Sequence, residues 1–123
     1  MQTTTLDNLI SQKKWDYIDF LKIDAEGHDL QIIKGVELHL AQHKIGVIQF
    51  EYGIEWIKTS STLYYAYKFL EKYGYKVFIL QNTGLSELDY KLFGEFFSYS
   101  NFVAVSNDII QNNKYNFFNL LDK

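Results

Sequence analysis

The sequence predicts an α/β fold that forms part of a doubly wound sheet. Three mostly apolar runs are typical of buried strands: residues 18–23, 45–52 and 75–80. Helical patterns separate them, at residues 29–42 and 61–73. Since long helices between strands form crossover connections, we expect these strands to run parallel. A last strand, residues 101–106, follows without a clear crossover helix and could pair antiparallel. We predict a single domain over residues 1–123.

Each helical pattern has one apolar face. In the first helix, this face is formed by Leu30, Ile33, Val36 and Leu40. In the second helix, it is formed by Leu63, Tyr67 and Leu70, and Gly74 is a plausible stop. A shorter helix is predicted at residues 8–13, with Asp7 as its cap.

The remaining segments have weaker patterns. Residues 54–61 are predicted to form a loop and residues 82–84 a turn. Residues 85–100 could form a short helix or an irregular loop. The tail, residues 108–123, keeps enough apolar side chains to predict a packed terminal helix.

Composition excludes several functional classes. Apolar residues make up 47% of the chain, which is enough for a core and argues against disorder. The net charge is −3 and the chain has no arginine, so we expect no nucleic-acid partner. Neither a signal peptide nor an apolar run of membrane-spanning length is apparent, so we predict a cytoplasmic protein without a membrane partner.

Acidic residues follow two of the predicted strands. Asp24 and Glu26 come directly after the strand at residues 18–23, and Glu51 lies near the end of the next strand. Open α/β sheets bind ligands outside the carboxyl ends of their strands, and neighbouring strands lie about 4.8 Å apart. These acids could therefore converge on one crevice. Two structural alternatives remain: Glu26 could cap the following helix, and Glu51 could pair with a lysine.

Four blocks of sequence resemble the FkbM-type methyltransferases, in content and in spacing. They are TTLD at residues 4–7, DFLKIDAEG at 19–27, IKG at 33–35 and IQFE at 48–51. Later pieces at residues 74–75 and 101–105 also fit, so the resemblance covers residues 3–106. It implies a Rossmann-like fold that uses S-adenosylmethionine to methylate a hydroxyl, often on a sugar, a polyketide or another secondary product.

The resemblance also implies which residues form the site. Asp24, Ala25 and Gly27 would contact the cofactor, and Asp24, Glu26 and Glu51 would be the catalytic acids. Asp24 would contact the acceptor or the positive end of the methyl donor. Glu26 or Glu51 would act as the base or as an orienting acceptor. The partner would be a small-molecule or glycan acceptor, and we predict no metal site, although Asp24 and Glu26 could ligate Mg²⁺.

One departure from the family concerns cofactor binding. Such folds bind the cofactor through a glycine-rich turn after the first strand, but no Gly-x-Gly occurs in this chain. By resemblance, the chain keeps only the second half of the fold, so we expect weak or absent binding of S-adenosylmethionine. A missing half would expose a sheet edge and favour self-association. The alternative function is a vestigial or accessory domain, not catalytic, that packs against a partner.

Three histidines and three aromatic residues are further candidates, and each could instead have a purely structural role. His28 could be a base or an exposed residue of the first helical turn. His39 and His43 are four residues apart and could bind a metal ion, but we expect two surface histidines. Trp56, Tyr64 and Tyr65 could form a wall for the acceptor or could be half-buried packing residues.

Overall fold

The computed structural model describes residues 4–122, which form a five-stranded mixed sheet with helices. The strands are β1 (Ile18–Lys22), β2 (Ile45–Tyr52), β3 (Tyr75–Gln81), β4 (Gly84–Glu87) and β5 (Ser100–Ser106), in the spatial order β1-β2-β5-β3-β4. This architecture confirms the predicted α/β class and is compatible with part of a Rossmann-like methyltransferase fold.

The pairing of the strands follows the prediction for the final strand. β1 and β2 are parallel, whereas β5 lies between β2 and β3 and runs antiparallel to both. β2 and β3 therefore run in the same direction, but they are not neighbours. The run from Phe102 to Ser106 is buried, as expected for a central strand covered on both faces.

The helices are short. They are α1 (Leu6–Lys13), α2 (Asp29–Lys34), α3 (Glu37–Ala41), α4 (Glu55–Lys58), α5 (Leu63–Lys72), α6 (Tyr90–Phe93) and α7 (Asn107–Gln111). A kinked 3₁₀ segment, Lys114–Leu120, follows α7, so the tail forms two short pieces and not the one terminal helix that we predicted. No helix within residues 4–122 combines the length and the hydropathy that crossing a bilayer requires.

Asp7 explains why the helix predicted at residues 29–42 is divided into α2 and α3. Its carboxylate accepts hydrogen bonds from the N–H groups of Leu38, at 2.8 Å, and His39, at 3.1 Å. Both N–H groups lie in the first turn of α3, where a helix offers no internal partner. The predicted role of Asp7 as the cap of α1 was wrong, because Thr5 accepts the capping bond from the N–H of Asn8 at 3.2 Å.

The prediction that His39 is a surface residue was wrong, because His39 pairs with the same carboxylate. Its Nδ1 lies 2.5 Å from Oδ1 of Asp7, and the side chain is buried. His39 is therefore not a surface residue, while His43 is exposed as expected.

Two further segments differ from their predictions. The predicted loop at residues 54–61 contains α4, because the buried ring of Trp56 anchors it to the core. In the segment that had no clear pattern, β4 forms a hairpin with β3 through a two-residue turn, and α6 follows. Leu85 is the buried residue of β4, and one apolar position is too weak a signal to predict a strand.

Apolar side chains form a core on each face of the sheet. The larger core contacts the helices α2, α3 and α5, with Phe50, Trp56 and Leu70 among its fully buried members. The smaller core, on the opposite face, joins Phe78 and Val105 to Phe117 of the 3₁₀ segment.

β1 departs from the prediction of a buried strand. It lies at the edge of the sheet, and the side chain of Phe20 is 53% exposed. Within residues 4–122, β2 is the one strand that pairs with β1, so the outer edge of β1 has no strand partner.

Candidate functional site

The structure brings Asp24 and Glu51 together at the carboxyl edge of the parallel pair of strands. Lys22 is the register partner of Gln49, so two residues further on Asp24 lies opposite Glu51. Both side chains line the same open groove, and Asp24 is the neighbour that raises the pKa of Glu51 most strongly.

A proton on the carboxyl group of Glu51 is held more tightly than a proton on an isolated glutamic acid. The hydrogen bond with Asp24 raises the pKa of Glu51 above its usual value, and burial and the charge of Asp24 add to the rise. A hydrogen bond from the hydroxyl of Tyr99 acts in the opposite direction. Glu51 therefore keeps a proton to a higher pH than an isolated glutamate would, and its carboxyl group can accept or release that proton.

Replacement of Asp24 by asparagine is expected to lower the pKa of Glu51 toward its ordinary value. The substitution removes the hydrogen-bonding carboxylate and its like charge, which are two of the four causes that raise this pKa, and it leaves burial and the charge of Asp29. Side-chain carboxyl ¹³C chemical shifts measured against pH would report this change. A Glu51 titration that is the same in both proteins would contradict the pairing.

An open groove of about 510 Å³ lies beside the pair. It is lined by Asp24, Glu26, Glu51, Glu55 and Tyr99. All charged residues of this lining are acidic, so the groove favours a positively charged group or a ligand that donates hydrogen bonds. A smaller pocket of about 150 Å³ adjoins it, with Ile54, Trp56 and Phe97 among its apolar lining residues.

The two structural alternatives for the predicted acids are not what the structure shows. Glu26 faces the groove, and the residue at the N-cap of α2 is His28, whose side chain makes no capping bond. The lysine salt bridges found in residues 4–122 do not involve Glu51, whose neighbours in the groove lining include Asp24 and Tyr99. Within residues 4–122, no cluster of three or more His, Cys, Asp or Glu side chains is arranged to hold a metal ion.

Gly27 has a structural role at the site. It has a φ of +103°, and a Cβ placed there would lie 2.9 Å from both Cβ and the carbonyl oxygen of Glu55. Its own carbonyl accepts a hydrogen bond from Oγ1 of Thr59 at 2.7 Å. Gly27 thus lets the loop after β1 pack against α4. The cofactor contacts that the resemblance assigns to Asp24, Ala25 and Gly27 stay predictions.

Asp29 is a residue of the site that sequence reasoning missed. It is fully buried, and its carboxylate accepts hydrogen bonds from the N–H of Ala25 at 3.2 Å and of Glu51 at 2.9 Å. Burial raises the pKa of Asp29, and hydrogen bonds from the Glu51, Ala25 and Gly27 backbone oppose the rise. Asp29 therefore ties together the ends of β1 and β2. An acid at the first position of a helix is so common that the sequence gives little warning of this role.

The aromatic residue that lines the acidic groove is not one of the three that we predicted as a wall for the acceptor. Trp56 is 1% exposed and donates its Nε1–H to the carbonyl of Glu51 at 2.8 Å, so it supports the end of β2 from the core. Tyr64 packs against Tyr67 and Tyr90. The aromatic residue that lines the groove is Tyr99, which no sequence signal indicated. His28 is exposed, as expected for a surface residue at the first turn of a helix.

Comparison with known proteins supports the resemblance. No curated protein and no solved structure matches the chain. The model of the methyltransferase FkbM domain, however, matches residues 1–77, which is more than half of the 123 residues. The matched part includes β1, β2 and the acids Asp24, Glu26 and Glu51. This chain therefore belongs to the FkbM methyltransferase family.

Proposed function

We propose that this chain takes part in S-adenosylmethionine-dependent O-methylation of a hydroxyl on a sugar or a secondary metabolite. The observation that carries the proposal is the placement of Asp24 and Glu51 together in the lining of an open groove, where the pKa of Glu51 is raised. Methyl transfer to oxygen needs a group that can take the proton of the acceptor, and a carboxylate at this place can do so.

The residues of the groove fit one part of the cofactor. The sulfonium and the amino group of S-adenosylmethionine are positively charged, and the groove is lined by acids. The backbone of Gly27 is less suitable for contacting the cofactor closely, because Glu55 occupies the space beside it. When bound, the cofactor supplies an electrophilic methyl group.

The chain's own residues would then have distinct roles. Glu51, starting as a carboxylate, would accept the hydroxyl proton, and Asp24 would then accept a hydrogen bond from the protonated Glu51. Glu26 would orient the acceptor from the other side of the groove. Tyr99 would donate a hydrogen bond to Glu51 and limit the access of water on its side. Asp29 and Trp56 would keep the end of β2 in place from below.

The chain alone is expected to bind S-adenosylmethionine weakly or not at all, because it has no Gly-x-Gly turn. Isothermal titration calorimetry with the cofactor would measure this directly. Tight binding by the chain alone would contradict the expectation.

The catalytic roles can be tested in a fusion that supplies a glycine-rich cofactor-binding turn. The glycine-rich half of an FkbM relative would be joined ahead of residue 4, and methyl transfer to a panel of sugars and hydroxylated metabolites would be measured. We expect Glu51→Gln to reduce turnover by roughly 10²- to 10⁴-fold, as for other general bases. The matched control is Lys91→Gln, because Lys91 is an exposed residue of α6 outside the groove lining. Unchanged turnover after replacing all three acids would remove the proposed site.

We also propose that the chain associates with itself through β1. This strand has an open edge, and the exposed ring of Phe20 lines an apolar groove of about 300 Å³ together with Leu80 and Leu120. Open edges with apolar side chains favour association. We expect Phe20→Lys to shift the protein toward the monomer in light scattering, and a wild-type monomer at high concentration would count against the proposal.

A further inference from the structure

The segment of residues 94–99 crosses the carboxyl edge of the sheet between α6 and β5, and we call it the strap. Glu95 is the residue that attaches it. Its carboxylate accepts four hydrogen bonds: from the N–H of Leu63 at 2.7 Å, the N–H of Tyr64 at 2.9 Å, the hydroxyl of Tyr90 at 2.5 Å and the hydroxyl of Tyr52 at 3.1 Å.

Two of these donors belong to the start of α5. Leu63 and Tyr64 are its first residues, and their N–H groups have no acceptor within the helix. A carboxylate at this end also interacts favourably with the helix dipole. Burial raises the pKa of Glu95, but the hydrogen bonds from Tyr90, Leu63, Tyr64 and Tyr52 outweigh it, and the net pKa is below the usual value. Glu95 is therefore an ionised anchor.

Tyr52 connects this anchor to the strap a second time. Its hydroxyl donates to Glu95 and accepts a hydrogen bond from the N–H of Phe97 at 3.0 Å. Its ring contacts those of Phe96 and Phe97, with centroid distances of 5.1 and 5.6 Å. Burial, together with the charge of Glu95, raises the pKa of Tyr52 to about 12, so the hydroxyl keeps its proton near neutral pH. The strap is thus held to the end of β2 directly beside Glu51.

Tyr99 is the residue of the strap that reaches the acid pair. Tyr52 is the register partner of Ser100, so Tyr99 lies one residue beyond the paired region. Its side chain is 72% exposed, it lines the acidic groove together with Glu51, and its hydroxyl lowers the pKa of that acid. Apart from a hydrogen bond that this hydroxyl accepts from the side-chain amide of Asn101 at 3.4 Å, so exposed a side chain has little to hold it, and its place depends on the backbone of the strap.

We propose that Glu95 is a positioning residue: by anchoring the strap to α5 and Tyr52, it holds Tyr99 against Glu51. Its effect on methyl transfer rests on the proposed function, whereas its effect on the acid pair does not. Glu95 contacts neither Asp24 nor Glu51 through any described hydrogen bond, so it acts on the pair through the strap.

The test is the titration of Glu51 in wild type, Glu95→Gln, Tyr99→Phe and the double variant, followed by carboxyl ¹³C chemical shifts. Since the hydroxyl of Tyr99 lowers the pKa of Glu51, both single variants are expected to raise that pKa. The double variant is expected to add nothing to Tyr99→Phe. In Glu95→Gln, the N–H of Phe97 is expected to exchange with solvent roughly ten- to a hundredfold faster. An unchanged Glu51 titration in folded Glu95→Gln, or a further rise in the double variant, would overturn the proposal.

Thr62→Ala is the matched control. It removes a different cap of the same helix, the hydrogen bond from the N–H of Tyr65 to Oγ1 of Thr62 at 3.1 Å. We expect it to leave the Glu51 titration unchanged, and an equal shift would show general loosening instead of positioning. If Glu95→Gln does not fold, Tyr52→Phe provides the same test, because it removes the hydroxyl between Glu95 and Phe97. These titrations need no cofactor, so their failure is distinct from failure of the proposed methyl transfer.

Discussion

Replacing Gly27 with alanine is expected to lower the free energy of unfolding by about 3 kcal/mol. Two causes add. The backbone at Gly27 has a φ of +103°, which strains any residue with a Cβ, and that Cβ would lie 2.9 Å from two atoms of Glu55. One of the two atoms is a backbone carbonyl oxygen, so α4 would have to move. Urea denaturation followed by circular dichroism would measure the loss.

Gly35→Ala is the control for this prediction. Gly35 has a right-handed helical conformation, and its nearest contact to an added Cβ would be an ordinary 3.4 Å. We expect its stability to be close to that of wild type. Equal stabilities of the Gly27 and Gly35 variants would show that the loop after β1 does not pack against α4 as described.

Asp29→Ala is expected to have a second large effect, again about 3 kcal/mol. The substitution leaves the N–H groups of Ala25 and Glu51 buried near the site without their acceptor. A hydrogen bond to a charged group contributes roughly 1.5–3 kcal/mol, and an unsatisfied buried donor costs a similar amount. Amide exchange at Ala25 and Glu51, together with urea denaturation, would locate and measure the effect.

Asp24→Ala separates this structural role from the role of the acid pair. Asp24 is exposed, and its charge raises the pKa of its neighbour Glu51. We therefore expect its removal to change stability little, while it alters the titration of Glu51. A loss as large as that of Asp29→Ala would mean that the two acids share one structural role.

The pH dependence of stability provides an independent check on Asp29. Burial raises the folded-state pKa of Asp29 above the ordinary 3.8. The associated stability is complete below that ordinary value and is lost as the pH rises through the folded-state pKa. In Asp29→Asn this component is absent, so the stability difference between the two proteins should depend on pH. A constant difference between pH 3 and 7 would contradict the raised pKa.

Local patterns were sufficient for much of the fold. The strands β1, β2, β3 and β5 each form a contiguous apolar run, and such a run can be recognised without knowledge of its neighbours. The helix divided at Gly35 and Val36 could not be recognised in this way. The group that divides it is the carboxylate of Asp7, about 30 residues away in the chain.

At the candidate site, too, local sequence patterns predict some residues and miss others. Asp24 and Glu26 follow β1 and Glu51 lies near the end of β2, so the rule that ligands bind at the carboxyl ends of strands was enough to select them. Tyr99 and Glu95 lie in a segment with no periodic pattern. Their importance follows from the strap, which folds back over β2 and brings them beside residues more than 30 positions away.

By itself, the sequence determined the α/β class, the main strands and the acids after β1 and β2, because each depends on the order of neighbouring residues. Only the tertiary structure decided that β5 lies between β2 and β3, that Asp29 joins two strand ends, and that Tyr99 and Glu51 line one groove. The physical reason is that these features depend on hydrogen bonds between distant segments, whose partners are brought together only when the chain folds.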